Sequence, residues 1–194
     1  MFRQAVATTL LVLFSVSAIL GQEVEDYLGA PGPIAIGDTN YVLAWSSNPQ
    51  PGYFKQEYLP EGTAPENYES MVIVVFLAGD TPIAEVVSAQ VDMVNARKSA
   101  DPVANSAVLR NDETGEFVLD FLLSAKDESG EFILEWNGYR YAEATLAGKP
   151  GALLFGISER SYGNADAESF LTDLRAFKAQ RIQELTKAAM PALE

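Results

Sequence analysis

Apolar and polar positions follow two rhythms along this chain, and each rhythm marks a kind of element. Met71 to Leu77 (Met-Val-Ile-Val-Val-Phe-Leu) is apolar without a break and rich in β-branched residues. Such a run is too short for a helix and predicts a strand buried on both faces. Ile83, Val86, Val87, Val91 and Val94 recur instead at helical spacing. Thr81-Pro82 before them suits a helix start, with Thr as cap and Pro as first helical residue. Arg97 and Lys98 stand where the helix dipole favours cations, and Asp101-Pro102 stops the helix. Before the apolar run, Tyr41 to Trp45 and Tyr53 to Tyr58 read as strands joined through Asn48-Pro-Gln-Pro-Gly52. Thr63 and Glu66 have the spacing of a capping box and predict a helical turn up to Tyr68.

From Ser106 to Ser158 the pattern is that of an antiparallel meander. Ala107 to Arg110, Glu116 to Ala125, Phe132 to Trp136, Tyr139 to Ala144 and Ala152 to Ser158 are the strands. Asn111 to Gly115, Lys126 to Gly130 and Gly148 to Gly151 are turns. Asn137-Gly138 is the strongest turn signal, because a type I′ hairpin needs positive φ at both central residues. That turn would set Trp136 opposite Tyr139 and Glu135 opposite Arg140. Asn164 to Met190 then predicts a long helix, capped by Asn164, with Phe170, Leu171, Leu174, Phe177, Ile182 and Leu185 on its buried side. Two helices with apolar stripes and a doubly buried strand predict an α/β (α+β type) fold: a three-layer α/β/α sandwich with a mainly antiparallel sheet.

The N-terminus changes the picture of location. Arg3 is followed by the uncharged run Ala5 to Leu20, and then by Glu23, Glu25 and Asp26. This predicts a secretory signal peptide over residues 1–21, cleaved after Ala18 or after Gly21. The alternative is an uncleaved anchor, for which the apolar run is short of the ~20 residues that span a bilayer. Residues 22–38, with five Gly and Pro, read as an extended lead-in; 39–190 form one domain, and 191–194 a tail. The expected location is periplasmic or secreted, with no stable membrane insertion after cleavage.

Composition narrows the chemistry. The 194 residues include no His and no Cys, and 27 acidic against 13 basic side chains give a net charge of −14. Thiolate nucleophiles, His-based triads, and Cys- or His-ligated metals are excluded. The charge argues against nucleic acid and anionic lipid as partners and favours a basic one. No cofactor motif is present, and no catalytic or metal-ligating set is assigned. The acidic loop tips Asp112, Glu113, Asp127 and Glu128 could bind calcium weakly, but they read first as solvated hairpin turns. Trp45, Phe54 and Tyr58 read as core.

Two stretches carry a resemblance. Glu57-Tyr58-Leu59-Pro60-Glu61-Gly62 with Glu66-Asn67-Tyr68-Glu69-Ser70-Met71 is one, and Glu135-Trp136-Asn137-Gly138-Tyr139-Arg140-Tyr141 followed by Glu159-Arg160 is the other. The chain resembles uncharacterised secreted bacterial proteins of the Mog1/PsbP-like fold. That resemblance implies the same sandwich and, by analogy with a Ran-binding protein and a photosystem II extrinsic subunit, a role in binding other proteins. The candidate interaction surface is Trp136, Tyr139, Arg140, Tyr141, Arg160 and Tyr162, since aromatics and Arg dominate protein interfaces. The expected function is an exported, non-catalytic accessory or protein-binding domain of the cell envelope, with an unidentified protein partner. A carboxylate-dependent hydrolase of envelope material and a small-ligand carrier are the alternatives.

Overall fold

The computed structural model describes residues 24–194, so the expected leader lies outside the described residues. Strands β1 (Ile34–Ile36), β2 (Thr39–Gln50), β3 (Tyr53–Pro60) and β4 (Ser70–Ala78) come first, with a single 3-10 turn at Pro65–Asn67. Helix α1 (Ile83–Arg97) follows. Strands β5 (Asn105–Arg110), β6 (Phe117–Lys126), β7 (Phe132–Leu146) and β8 (Lys149–Tyr162) lead into helix α2 (Asn164–Lys187). All eight strands form one sheet in the order β1-β2-β3-β4-β8-β7-β6-β5, and every neighbouring pair is antiparallel. The protein is thus mixed α/β: two meanders of four strands, each followed by a helix, joined where β4 lies against β8.

The Met71–Leu77 run behaves as its pattern predicts. Val72, Val74 and Phe76 enter one core cluster with Phe155, Ile157, Trp136 and Leu185 of α2. Ile73 and Val75 enter a second with Tyr139 and with Ile83, Val87 and Val94 of α1. Alternation along one strand therefore feeds both clusters. Burying each such side chain is worth about 1.5–3 kcal/mol. Of the expected α2 face, Phe170, Leu174, Phe177 and Ile182 pack against the first cluster, but Leu171 is exposed. Leu171 lies about 100° around the helix from Phe170, outside the arc that reaches the sheet.

The Asn137-Gly138 hairpin does not exist. β7 runs straight through it, with Asn137 opposite Phe121 and Ser158, and Gly138 opposite Asp120 and Ile157. The two-residue hairpin sits further on, at Ala147-Gly148, where φ is 48° and 77° and Leu146 pairs with Lys149. Gly138 has another reason to be glycine: a Cβ there would stand 2.8 Å from the end of the Trp136 indole. Space for a buried ring, not a turn, selects it.

The caps also differ. Pro82, not Thr81, precedes α1, and no side chain caps that helix. The Thr63–Glu66 box does not form. Asn164 begins α2 behind Gly163, and its Oδ1 accepts from the Phe132 N–H instead (3.1 Å). Trp45 is exposed, with the Lys55 ammonium 5.4 Å from its ring centre, whereas Tyr58 is fully buried and Phe54 packs partly against the core.

The lead-in joins the sheet and the core. It supplies β1, and Leu28, Ala30 and Ile36 are buried. Leu28 N–H donates to the Gln56 side chain (3.0 Å), Tyr58 O–H donates to Ala30 C=O (2.6 Å), and Glu194 N–H donates to Leu28 C=O (3.1 Å). Among the described residues no helix is long and apolar enough to cross a membrane.

Candidate functional site

Past Ser158 the apolar sequence of β8 runs out while the strand continues to Tyr162. Alternation then sends Glu159 to the α2 side and Arg160 to the opposite side. Each charge meets an opposite charge that the sheet or a helix brings to it.

On the α2 side Arg181 is the hub. Its guanidinium pairs with Glu159, donates to Glu184 (2.7 Å), and reaches Ser70 Oγ (2.9 Å) and Tyr41 Oη (3.0 Å). Ser70 O–H donates to Glu159 (3.0 Å), so Tyr41 O–H donates to Ser70 (2.7 Å). One planar fork thus ties α2 to β2, β4 and β8. Burial pushes the Glu159 carboxyl up, and Arg181 and Ser70 pull it only part of the way back. Burial also works against the Arg181 charge, but Glu159 and Glu184 outweigh it and hold the group more firmly protonated.

On the other side Arg160 pairs with Glu135, its cross-strand neighbour, and lies 4.2 Å from the centre of the Tyr68 ring. Tyr68 O–H donates to Glu135 (2.8 Å), and so does the Asn137 amide (3.2 Å). Asn137 Oδ1 accepts from Ser158 (2.6 Å) and Tyr139 (3.1 Å), and Tyr162 O–H donates to Tyr68 C=O (2.9 Å). Burial, then the Glu135 charge, drives the Tyr68 and Tyr139 phenols well up.

The six expected surface residues therefore do not form a surface. Trp136, Tyr139, Tyr141 and Arg160 are buried, and Arg140 and Tyr162 are half-buried. Trp136 lies beneath α2, edge-on to Phe177 at 5.9 Å. Arg140 forks onto Glu116 (2.9 and 3.1 Å) and donates to Ala188 C=O (2.9 Å) at the end of α2. Tyr139 and Tyr141 belong to the other side, while Arg160 and Tyr162, at the end of β8, pair on that side and also line the cleft beside α2. The expected Glu135–Arg140 pair fails because both residues lie on one strand and point to opposite faces.

What the β8 end does create is an open cleft of about 580 Å³ beside α2. Glu159 and Arg181 line it together with the Phe170 and Phe177 rings, whose centres are 4.9 Å apart. Glu69, Asp166 and Asp173 also line it, and among the described residues none of these three is in an ion pair. Negative charge beside an aromatic wall suits a cation carried on an apolar stem. Arg181, Asp166 and Asp173 were not singled out from the sequence. Their signal was present as a mixed stripe on α2 (Asp166, Phe170, Asp173, Phe177, Arg181) flanking the buried one.

The acidic loop tips are turns. The Asp127 carboxylate accepts from the Ser129 hydroxyl (2.7 Å) and from the Ser129 and Glu131 N–H groups (2.9 Å each), which hold it below the usual range. Among the described residues no group of three or more carboxylates is arranged to hold a metal ion.

A family model matches residues 28–190, from the lead-in to just past α2. The chain belongs to that family, which is uncharacterised. No curated protein matches, and no solved structure matches. The matched span of the family includes every residue of both ionic networks and of the cleft.

Proposed function

We propose that this family member is an exported, non-catalytic binding domain of the bacterial cell envelope, and that the cleft beside α2 receives a basic segment of a partner protein. The observation that carries the reading is the contrast within the cleft. Its cations, Arg160 and Arg181, are engaged with Glu135 and Glu159, while Glu69, Asp166 and Asp173 have no cationic partner among the described residues. A Lys or Arg side chain would lay its stem on Phe170 and Phe177 and set its charge among the acids. The net charge of −14 would steer such a partner inward. Export rests on the N-terminal sequence. The three-layer sandwich and the Mog1/PsbP-like relation remain our reading of the fold. Strand alternation along β4 and one helix for each core cluster support them.

The hydrolase reading has one supporting feature, the raised carboxyl of Glu159. That carboxyl is held by Arg181 and Ser70, which is the posture of a structural acid. Calorimetric titration with a Lys/Arg-rich peptide and an acidic control separates the readings. The basic peptide binds the wild type, and the double substitution Asp166→Asn/Asp173→Asn weakens it about tenfold, near 1.4 kcal/mol. Equal affinity for both peptides removes the binding proposal, and turnover of a cell-wall compound that Glu159→Gln abolishes replaces it with the hydrolase.

A further inference from the structure

We propose that β5 is a pairing edge, and that a second copy of this chain extends the sheet across it in an antiparallel register centred on Val108. The two edges of the sheet are built differently. β1 is three residues long, which is one of the ways proteins blunt an edge. β5 is six residues long, pairs with β6 without a register shift, and holds no Pro, no Lys and no bulge. Val108 and Leu109 are 42% and 59% exposed, two of the six large apolar side chains left in water among the described residues. As consecutive strand residues they face opposite sides of the sheet. An edge meant for solvent would carry an apolar residue on its covered side alone; an edge meant to be continued needs one on each side.

Backbone parity sets the register. Asn111 N–H donates to Glu116 C=O (2.9 Å), so the odd-numbered residues of β5 turn their backbone groups toward β6. Ser106, Val108 and Arg110 turn theirs outward, consistent with Ser106 N–H having found the Asn105 side chain (2.9 Å) instead of a strand. A two-fold axis through Val108 places Val108 against Val108 of the second copy, and Ser106 against Arg110. It uses all three outward residues of each chain; a shift of two residues in either direction uses fewer. Arg110, the sole charge on the strand, then faces Ser106 and not another Arg. Leu109 meets Ala107 on the other side of the sheet. Six residues on each side is far below the ~20–30 of a standard interface, so association is weak. It strengthens with salt, because each copy carries −14.

The absence of cysteine makes the register directly testable. In the protein as purified from cells that express it, Val108→Cys places two sulfurs on the axis. Opposed residues of a hydrogen-bonded antiparallel pair have Cα atoms about 5.5 Å apart, within disulfide range. Leu109→Cys leaves its copies about 8 Å apart by strand geometry, outside that range. Under mild oxidant the first variant forms a covalent dimer at least about ten times faster than the second, and faster still in high salt. Val108→Pro, whose N–H lies outside the β5–β6 ladder, keeps the wild-type circular dichroism and sediments as a monomer where the wild type shows dimer. Equal cross-linking of the two cysteine variants overturns the proposal, as does a wild-type protein that remains monomeric at millimolar concentration.

Discussion

Glu159 and Arg160 follow one another in the chain, yet each belongs to a separate buried ionic network on its own side of the sheet. Arg160 meets Glu135 on the adjacent strand, under the Tyr68 ring, and the two side chains are 7% and 24% exposed. Glu159 meets Arg181 on a helix, beside an open cleft, and the two side chains are 17% and 18% exposed. The first network holds strand to strand and the 3-10 turn region to the sheet. The second holds α2 to three strands and also forms the inner wall of the candidate site. Similar chemistry thus ties strand to strand in one network and a helix to the sheet in the other, and the two meet at the cleft, which Arg160 and Tyr162 line along with Glu159 and Arg181. What separates the two is whether the partner residue comes from the sheet itself or from an element laid across it.

The largest break in this comparison comes from Arg160→Leu. It leaves Glu135 without its cation and the buried Tyr68 ring without the guanidinium packed on it, at a cost of about 3 kcal/mol. Urea unfolding should show that loss, and because Arg160 also lines the cleft, the folded fraction should bind basic peptide at least as tightly as wild type. Arg181→Met is milder, about 2 kcal/mol, because Glu159 keeps the Ser70 hydroxyl and its carboxyl, already raised by burial, takes up a proton more readily once its cation is gone. Its effect is local: amide exchange quickens along α2, and the cleft loses its preference for basic peptide as its inner wall loosens. Equal stability loss in the two variants, with no change confined to α2, would erase the distinction drawn between the networks.

The finest test uses protons. The Glu159 carboxyl lies above its ordinary 4.5 because burial disfavours its charge. Its contribution to stability is therefore full below that ordinary value and is lost as pH rises through the folded value. Glu184 is the reverse: burial opposes its charge, but Gln180 and Arg181 outweigh that and hold it below 4.5. Its contribution is present above 4.5 and is lost as pH falls through the folded value. Carboxyl-detected NMR titration should find Glu159 above Glu184, and both should move up in Arg181→Met. An inverted order would show that Glu159 is better solvated than its surroundings imply.

Much of the architecture was legible along the chain. The Met71–Leu77 run and the Ile83–Val94 stripe named a central strand and its helix, because both signals depend only on local spacing. The family match from residue 28 begins inside the segment that reads as a lead-in, a stretch whose Gly and Pro hide Leu28 and Ile36 as core residues. The candidate surface was the least legible part. Aromatic and Arg residues were grouped by a hairpin that β7 does not make. Asp166, Asp173 and Arg181 carry no site signal in the sequence, because a polar stripe beside a buried one has the pattern of ordinary solvated helix surface.

Residue order alone settled the Met71–Leu77 strand and the two helices, and that neither thiol nor imidazole chemistry operates here, since periodicity and composition are properties of the chain itself. Only the assembled sheet decided that Glu135 pairs with Arg160 instead of Arg140, that Gly138 makes room for Trp136, and that the two-residue turn falls at Ala147-Gly148. Those outcomes depend on register between strands distant in sequence. A local turn preference near 1 kcal/mol does not prevail against the burial of a Trp, worth several.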